Sequence, residues 1–336
     1  MSIKIGINGF GRIGRAVFRI LISRPDEFEV TLINDIADAA SLANLLKYDT
    51  TFGLFQGTVE PMDSGLKVNG KLIRLSNEKD PENIPWKKED VSVVLESSGK
   101  FTTREGLEKH LSAGAPKVLL SAPPKGEKPM DANIVLGVND SILKPSMRIV
   151  SNASCTSNCV IPMAKILNDH FEIESGLMLT AHAYTSSQAL LDKMSKDPRR
   201  GRAAAQNIIP TTTGAADMIG LIIPELNGKL TGMALRVPVP CGSITDLTVS
   251  LKKPHSRDDI NSAFREAAMG RMKGIIEYTE EPIVSSDIIG NTHSCIFDGT
   301  WTRVVDKNLV KVLGWYDNEW GYSSRTVDVL KRMGSF

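Results

Sequence analysis

The chain has 336 residues, 41% of them apolar and 24% charged, and its 40 Lys and Arg against 39 Asp and Glu leave a net charge of +1. That length accommodates two ordinary domains with their own cores, and the balanced charge excludes the electrostatic footprint of a nucleic-acid or acidic-membrane binder. No apolar run reaches the roughly 18 residues of a membrane span, and four cysteines fit reduced thiols in a cytoplasmic enzyme rather than a disulfide framework.

The N-terminus enters a strand pattern at once, without the apolar core and cleavage site of a signal peptide. Residues 3–8 read as a short buried strand. Gly9-Phe10-Gly11-Arg12-Ile13-Gly14 follows without a gap, and Ile13, Val17, Ile20 and Leu21 then recur at helical spacing. In that context GxGxxG is a dinucleotide-binding motif. Gly9 permits the turn, Gly11 lets a pyrophosphate approach the backbone, and Gly14 allows close helix–strand packing. The anion sits at the helix N-terminus, where unpaired N–H groups face it. A second apolar run ends at Asp35, where a carboxylate accepts hydrogen bonds from an adenosine ribose. "GLKVNGKLIRL" predicts a hairpin turning at Asn69-Gly70. "VSVVLESSG" and "PKVLLSAPP" are short strands whose ends, Ser97, Ser98, Gly99, Ser121 and Ala122, are expected to line the cofactor cleft. "ANIVLGVN" and "MRIVSNAS" complete a first domain near residue 153.

Alternating segments at 176–185, 229–240 and 243–253 predict a mostly antiparallel sheet covered on one face. A helix follows, with Ser256 as N-cap and Gly270 after its end, then a strand and turn in "LVKVLGWYDNEWG" and a terminal helix. Between the first two alternating segments, residues 186–210 show little pattern; a loop that long is expected to be functional or buried against a partner.

"SNASCTSNCVIP", residues 151–162, places two cysteines on one helical face. Metal binding needs further Cys or His ligands at characteristic spacing, and none lies nearby. Cys159 leads into an apolar run and reads as a buried thiol. Cys155 stands where a helix begins, a position that favours the thiolate. Of the five histidines, His110 and His170 in polar helices and His255 in a turn read as surface residues, and His293 is undecided. His182 lies in an apolar strand, sharing a face with Thr180 and Tyr184. A lone strand histidine is commonly a core residue; beside a nucleotide-binding half and a helix-start cysteine, it reads as a base.

The blocks "INGFGRIGR", "NASCTSNC", "HAYT", "PTTTGAA", "PELNGKLTGMALRVPVP" and "WYDNEWGYS" resemble, in order along essentially the whole chain, the signatures of the phosphorylating glyceraldehyde-3-phosphate dehydrogenase family. The resemblance implies an α/β chain: a Rossmann-type NAD-binding domain over 1–153, joined by the terminal helix at about 319–336, and an α+β catalytic domain over 154–318 with a mostly antiparallel sheet. It implies Cys155 as nucleophile and His182 as its base, paired as thiolate and imidazolium. Ser154, Thr156, Thr185, Thr213, Gly214 and Arg236 fall on substrate and phosphate contacts, and Arg12, Ile13, Asp35, Lys79, Ser121 and Asn318 on NAD contacts. Glyceraldehyde 3-phosphate and inorganic phosphate are the implied substrates, NAD the cofactor, and a homotetramer the assembly, with no metal.

Three departures from common bacterial members stand out: Ser186-Ser187 for Asn-Asp, Lys79 for arginine, and Lys193-Met194 for Leu-Pro in a loop that reaches a neighbour's cofactor site in relatives. Lys193 therefore bears on NAD against NADP, where Asp35 is expected to repel the extra phosphate. Erythrose-4-phosphate dehydrogenase is the alternative, and intact "HAYT" and "PTTTGAA" argue against it.

Overall fold

The computed structural model describes residues 2–336. They form two compact units: one runs to Ile134 and takes in Ser141–Ala153 and Ser323–Phe336, the other comprises Val135–Asp140 and Ser154–Tyr322.

The first unit contains β1 (Ile3–Asn8), α1 (Arg12–Ile22), β2 (Phe28–Asn34), α2 (Ala39–Lys47), β3 (Val59–Met62), β4 (Gly65–Val68), β5 (Lys71–Ser76), β6 (Val93–Glu96), α3 (Arg104–Ser112), β7 (Val118–Leu120), β8 (Ala132–Asn133) and β9 (Ile149–Ser151). Its nine strands lie in the order β3-β4-β5-β2-β1-β6-β7-β9-β8. All neighbours are parallel except β3–β4 and β4–β5. Parallel strands are covered on both faces, so β1 and β6 are short apolar runs whose Ile5, Ile7, Val93, Val94 and Leu95 are fully buried. The β4–β5 hairpin turns at Asn69 and Gly70 with φ of 50° and 82°, the pair of positive values that a type I′ turn requires. Register matters most at the carboxyl ends: Asn8 of β1 pairs with Asn34 of β2 on one side and Glu96 of β6 on the other.

The second unit contains α4 (Cys155–Phe171), β10 (Ile173–Ala183), β11 (Ile209–Thr211), α5 (Ala215–Ile222), β12 (Leu230–Val237), β13 (Ser243–Leu251), α6 (Arg257–Met269), β14 (Ile276–Thr279), β15 (Cys295–Asp298), β16 (Arg303–Val305) and β17 (Leu309–Tyr316). The sheet runs β11-β12-β10-β13-β17-β15-β14, with β16 beside β17. It is mostly antiparallel, as expected, but β10–β12 and β14–β15 are parallel. In β13, Ser243, Thr245, Leu247, Val249 and Leu251 are buried while the residues between them are half-buried, the two-residue period of a sheet covered on one face. Helix α6 begins in a capping box, the Ser256 hydroxyl and the Asp259 carboxylate each bonding the other's backbone N–H. The terminal helix α7 (Trp320–Gly334) belongs to the first unit from Ser323 onward. Among the described residues no helix is long and apolar enough to cross a membrane.

Two histidines depart from the sequence reading. His170 is exposed as expected, but His110 is fully buried and His255 nearly so. The polar flanks of α3 conceal that His110 lies on its inward face beside Leu107, where Trp86 and Glu96 satisfy both ring nitrogens. His255 is covered by the Phe171 ring, 5.5 Å away between centroids.

Candidate active site

Cys155 is the first residue of α4. The preceding Ser154 caps the helix, its Oγ accepting from the Ser157 N–H at 3.0 Å and pairing with Ser157 Oγ at 2.8 Å. The Ser154 hydroxyl, assigned by resemblance to phosphate, is therefore engaged locally. Ala153 has φ of 53°, a left-handed value that is uncommon for a residue with a Cβ and costs on the order of 1 kcal/mol. This bend turns the chain from β9 into the cap. No sequence signal marks it, because alanine carries no preference for that conformation.

His182 is the penultimate residue of β10, and the parallel register with β12 sets it directly opposite Arg236. Its Nε2 lies 3.3 Å from Cys155 Sγ. Its Nδ1 lies 2.6 Å from the Ala183 carbonyl. Arg236 Nη1 donates to that same carbonyl at 3.0 Å and also rests against Nδ1. Cysteine, histidine and arginine thus form one contiguous group within the second unit. Behind them Tyr316, which the sequence reading missed, is fully buried. Its hydroxyl bonds Thr156 Oγ1 at 3.0 Å and Thr180 Oγ1 at 2.8 Å, and its ring meets the imidazole edge-on at 5.9 Å. Thr156 is buried with its hydroxyl on Tyr316.

Burial and the Arg236 guanidinium hold the His182 imidazole down to about 3. Burial also pushes the Cys155 thiol up, against the opposing pull of Arg236 and the Thr156 backbone N–H. The helix-start N–H groups pull the thiol down, the direction expected from position, and burial outweighs them. Each charge is costly by itself in this setting. Cys155 is half-buried, whereas Cys159, Cys241 and Cys295 are buried. The Cys159 thiol is pushed well up by burial and by neighbouring Cys295. Gly314 leaves room there, since a Cβ on it would stand 2.6–3.2 Å from the sulfurs of Met163, Cys295 and Cys159.

The remaining substrate candidates sit at element ends. Thr185 follows β10, its hydroxyl 2.9 Å from Ser187 Oγ. The Thr213 hydroxyl accepts from the Ala215 N–H at 3.3 Å, and Gly214 is the exposed N-cap of α5. Asn318 is buried, and its Oδ1 accepts from the Gly242 N–H at 3.1 Å and Ser243 Oγ at 2.9 Å. Those bonds engage the carbonyl end of the amide. Ser243 Oγ also accepts from the Ala183 N–H at 3.1 Å, so one serine ties Asn318 to the strand end that carries His182.

In the first unit a cavity of about 240 Å³ is lined by Gly9, Gly11, Asp35, Lys79, Ser97 and Ser98 among others. Gly9 has φ of 89°, and a Cβ there would stand 2.4 Å from the Ser98 backbone; one on Gly14 would stand 2.2 Å from the Gly9 carbonyl. At Gly11 a Cβ would meet nothing within 4 Å. An open cradle before the α1 N-terminus, walled by two glycines that admit no side chain, fits a dinucleotide pyrophosphate. Asp35 accepts from the Phe10 N–H at 2.7 Å and the Ala37 N–H at 3.0 Å, holding the glycine turn as well as lining the cavity. Arg12 forms an ion pair with Asp49 at 2.7 Å, and Ile13 is half-buried in α1. Ser121 Oγ donates to the Glu96 carbonyl at 3.0 Å. Of the expected cleft residues, Ser97 and Ser98 line the cavity; Gly99, Ser121 and Ala122 are not among its lining.

Comparison with known proteins gives concordant matches. The family profile for "Glyceraldehyde 3-phosphate dehydrogenase, NAD binding domain" matches residues 3–104, and that for its C-terminal domain matches residues 154–318. The chain is 50% identical over 336 residues to glyceraldehyde-3-phosphate dehydrogenase 2 of Streptomyces avermitilis, covering 100% of this chain and 99% of the relative. It is 50% identical to the glyceraldehyde-3-phosphate dehydrogenase of Geobacillus stearothermophilus over the same shares. With that of Priestia megaterium it shares 52% identity, over 98% of this chain and 97% of the relative.

Proposed function

This chain belongs to the glyceraldehyde-3-phosphate dehydrogenase family, and we propose that it oxidises D-glyceraldehyde 3-phosphate with NAD and inorganic phosphate to 1,3-bisphosphoglycerate. The observation that carries this reading is the Cys155 thiol at the start of α4, 3.3 Å from His182 Nε2, with Arg236 held on the imidazole by strand register.

The residues divide the chemistry. Cys155, its proton passed to Nε2, attacks the aldehyde carbon and forms a thiohemiacetal, splitting one hard step into two. The Cys155 backbone N–H and the Nε2–H stabilise the oxygen as it gains charge; Nε2 gives its proton to that oxygen to complete the thiohemiacetal, then takes it back as general base while the hydride leaves the carbon. NAD, when bound, supplies the hydride acceptor. Gly9, Gly11, Arg12, Ile13, Gly14, Asp35, Lys79 and Ser121 are the residues assigned to hold it, with Asn318 offering its amide NH2 to the carboxamide. The thioester left on Cys155 is an activated acyl group, which inorganic phosphate attacks to release an acyl phosphate. Arg236, whose planar fork suits a phosphate, together with Ser154, Thr156, Thr185, Thr213 and Gly214, is assigned to the anions. The assignment asks Arg236 to leave the imidazole when an anion arrives. That exchange removes the charge that depresses His182 and so favours proton acceptance.

The division into an NAD-binding part over 1–153 with the terminal helix and a catalytic part over 154–318 belongs to the same proposal. So does a homotetramer, for which the exposed apolar side chains of Leu177, Leu190, Leu191, Met194, Ile208 and Met233 offer surface to bury. A cytoplasmic location is in keeping with four free cysteines. The deciding assay is NADH production from each aldehyde phosphate with and without inorganic phosphate. Phosphate-dependent turnover of glyceraldehyde 3-phosphate is expected; equal turnover of erythrose 4-phosphate to free acid without phosphate would overturn it.

A further inference from the structure

Five side chains beneath the first unit's cavity form a chain whose hydrogen bonds all run toward one atom group. Asn34 Nδ2 donates to Asn8 Oδ1 at 2.8 Å, and Asn8 Nδ2 donates to Glu96 Oε2 at 2.5 Å. From the other side, Trp86 Nε1 donates to His110 Nδ1 at 3.1 Å, and His110 Nε2 lies 3.0 Å from the same Oε2. An indole can only donate, so Nδ1 is an acceptor and the imidazole proton sits on Nε2, pointing at the carboxylate. The other carboxylate oxygen, Oε1, accepts from the Ser98 N–H at 2.8 Å and Ser98 Oγ at 2.5 Å. All five members are at most 3% exposed. The outer end is fixed too, since Ser76 Oγ and the Glu78 N–H both donate to Asn34 Oδ1.

We propose that Glu96 is a positioning residue for the dinucleotide: a buried acceptor of four donors that holds the Ser97–Ser98 turn against Gly9 and ties it to the Asn34–Glu78 wall. Asn8, Asn34, Glu78 and Ser98 all line the cavity, so the hydrogen bonds that end on this carboxylate link both walls. The clearance at Gly9, where even a methyl would collide with the Ser98 backbone, makes the turn's position decisive for the glycine loop. Only a carboxylate serves. An amide at position 96 presents an NH2 to groups that are themselves donors, and the low dielectric that strengthens a satisfied chain penalises a broken one.

The proposal rests on the reading that NAD occupies this cavity, and the experiment separates the two. NAD binding is measured by calorimetry on the full-length protein, with the rate of Cys155 alkylation in the absence of NAD as the second readout. Glu96→Gln is expected to raise the Kd for NAD about tenfold, about 1.4 kcal/mol, with alkylation unchanged. Asn8→Asp, which sets two carboxylates face to face, is expected to do worse. The double variant N8D/E96Q reverses that one hydrogen bond and is expected to bind NAD better than either single variant, a pattern that general loosening of the fold does not produce. If Glu96→Gln does not fold, Ser98→Ala, which removes one donor to Oε1, is expected to raise the Kd about threefold, some 0.6 kcal/mol. Unchanged Kd in Glu96→Gln or Ser98→Ala, or a double variant no better than its parents, overturns the role of Glu96. Gly11→Asp fills the open cradle; if it leaves NAD binding intact, the cavity reading itself has failed.

Discussion

Two buried histidines, one in each unit, show how partners decide what an imidazole can do. His110 has both nitrogens committed, to an indole donor and to a carboxylate acceptor, so its tautomer is locked. At His182 Nδ1 faces a carbonyl and a guanidinium while Nε2 faces a thiol. With no carboxylate bonded to its ring and a cation beside it, its charged form is suppressed in the resting protein. That suppression keeps the imidazole neutral at rest, with Nε2 facing the thiol. Equal burial gives an imidazole bonded to a carboxylate in one unit and an imidazole flanked by a guanidinium and a thiol in the other.

The comparison breaks most visibly at His182. Replacing it with Asn is expected to lower kcat by a factor of roughly 10²–10⁴, the span of general acid–base catalysis. It should also slow iodoacetamide labelling of Cys155 at pH 7, because burial raises a thiol left without its proton acceptor. An unchanged labelling rate would mean that the thiolate does not depend on this imidazole. His110→Phe should show the reverse pattern. It leaves a buried carboxylate short of one donor, so stability to urea is expected to fall by about 3–5 kcal/mol while labelling at subsaturating denaturant stays as in the parent.

Arg236→Leu sharpens the contrast, since it removes the cation that separates the two environments. The specificity constant for phosphorylated aldehydes is expected to drop by about 1.5–3 kcal/mol, the scale of hydrogen bonds to charged groups. The His182 imidazole should meanwhile titrate at higher pH by NMR. A specificity constant equal to the parent's removes Arg236 from the substrate site. A smaller effect is expected at Asp131, whose carboxylate is held below its usual range by the backbone N–H groups of Ile149 and Arg148 and by Arg104, against burial. A depressed folded pKa contributes stability above the unfolded value of about 3.9, and that contribution is lost as pH falls through the folded value. Asp131→Asn should therefore cost about 1 kcal/mol near pH 7, and the cost, read as the gap between urea midpoints, should shrink as pH falls below the unfolded value. The smallest expected effect is at Cys159. Peptide mapping after brief iodoacetamide treatment at pH 7 should find the label on Cys155 alone, and dominant labelling at Cys159, Cys241 or Cys295 would contradict the site.

Much of this protein was legible in its residues because the features concerned are local. A strand, a glycine turn and a helix are each encoded within a few positions, so β1, the Gly9–Gly14 loop and α1 follow from apolar periodicity and from the room that glycine alone leaves. The same holds for the Asn69-Gly70 hairpin, the Ser256 cap and the start of α4 at Cys155. What tertiary structure decided is the set of partners. Arg236 meets His182 only because β10 and β12 pair in parallel at that register, and the alternating patterns of both strands suit an antiparallel pairing equally well. Glu96, Asn8 and Asn34 converge across three strands separated by up to 88 positions, each ending an apolar run with no local sign of its neighbours. His110 was misread for that reason: a helix's polar composition reports its exposed face, while the side chain that turns inward is chosen by what the sheet beneath can offer it. The depression of His182 likewise comes from burial and a neighbouring cation, and both exist only once the chain has folded.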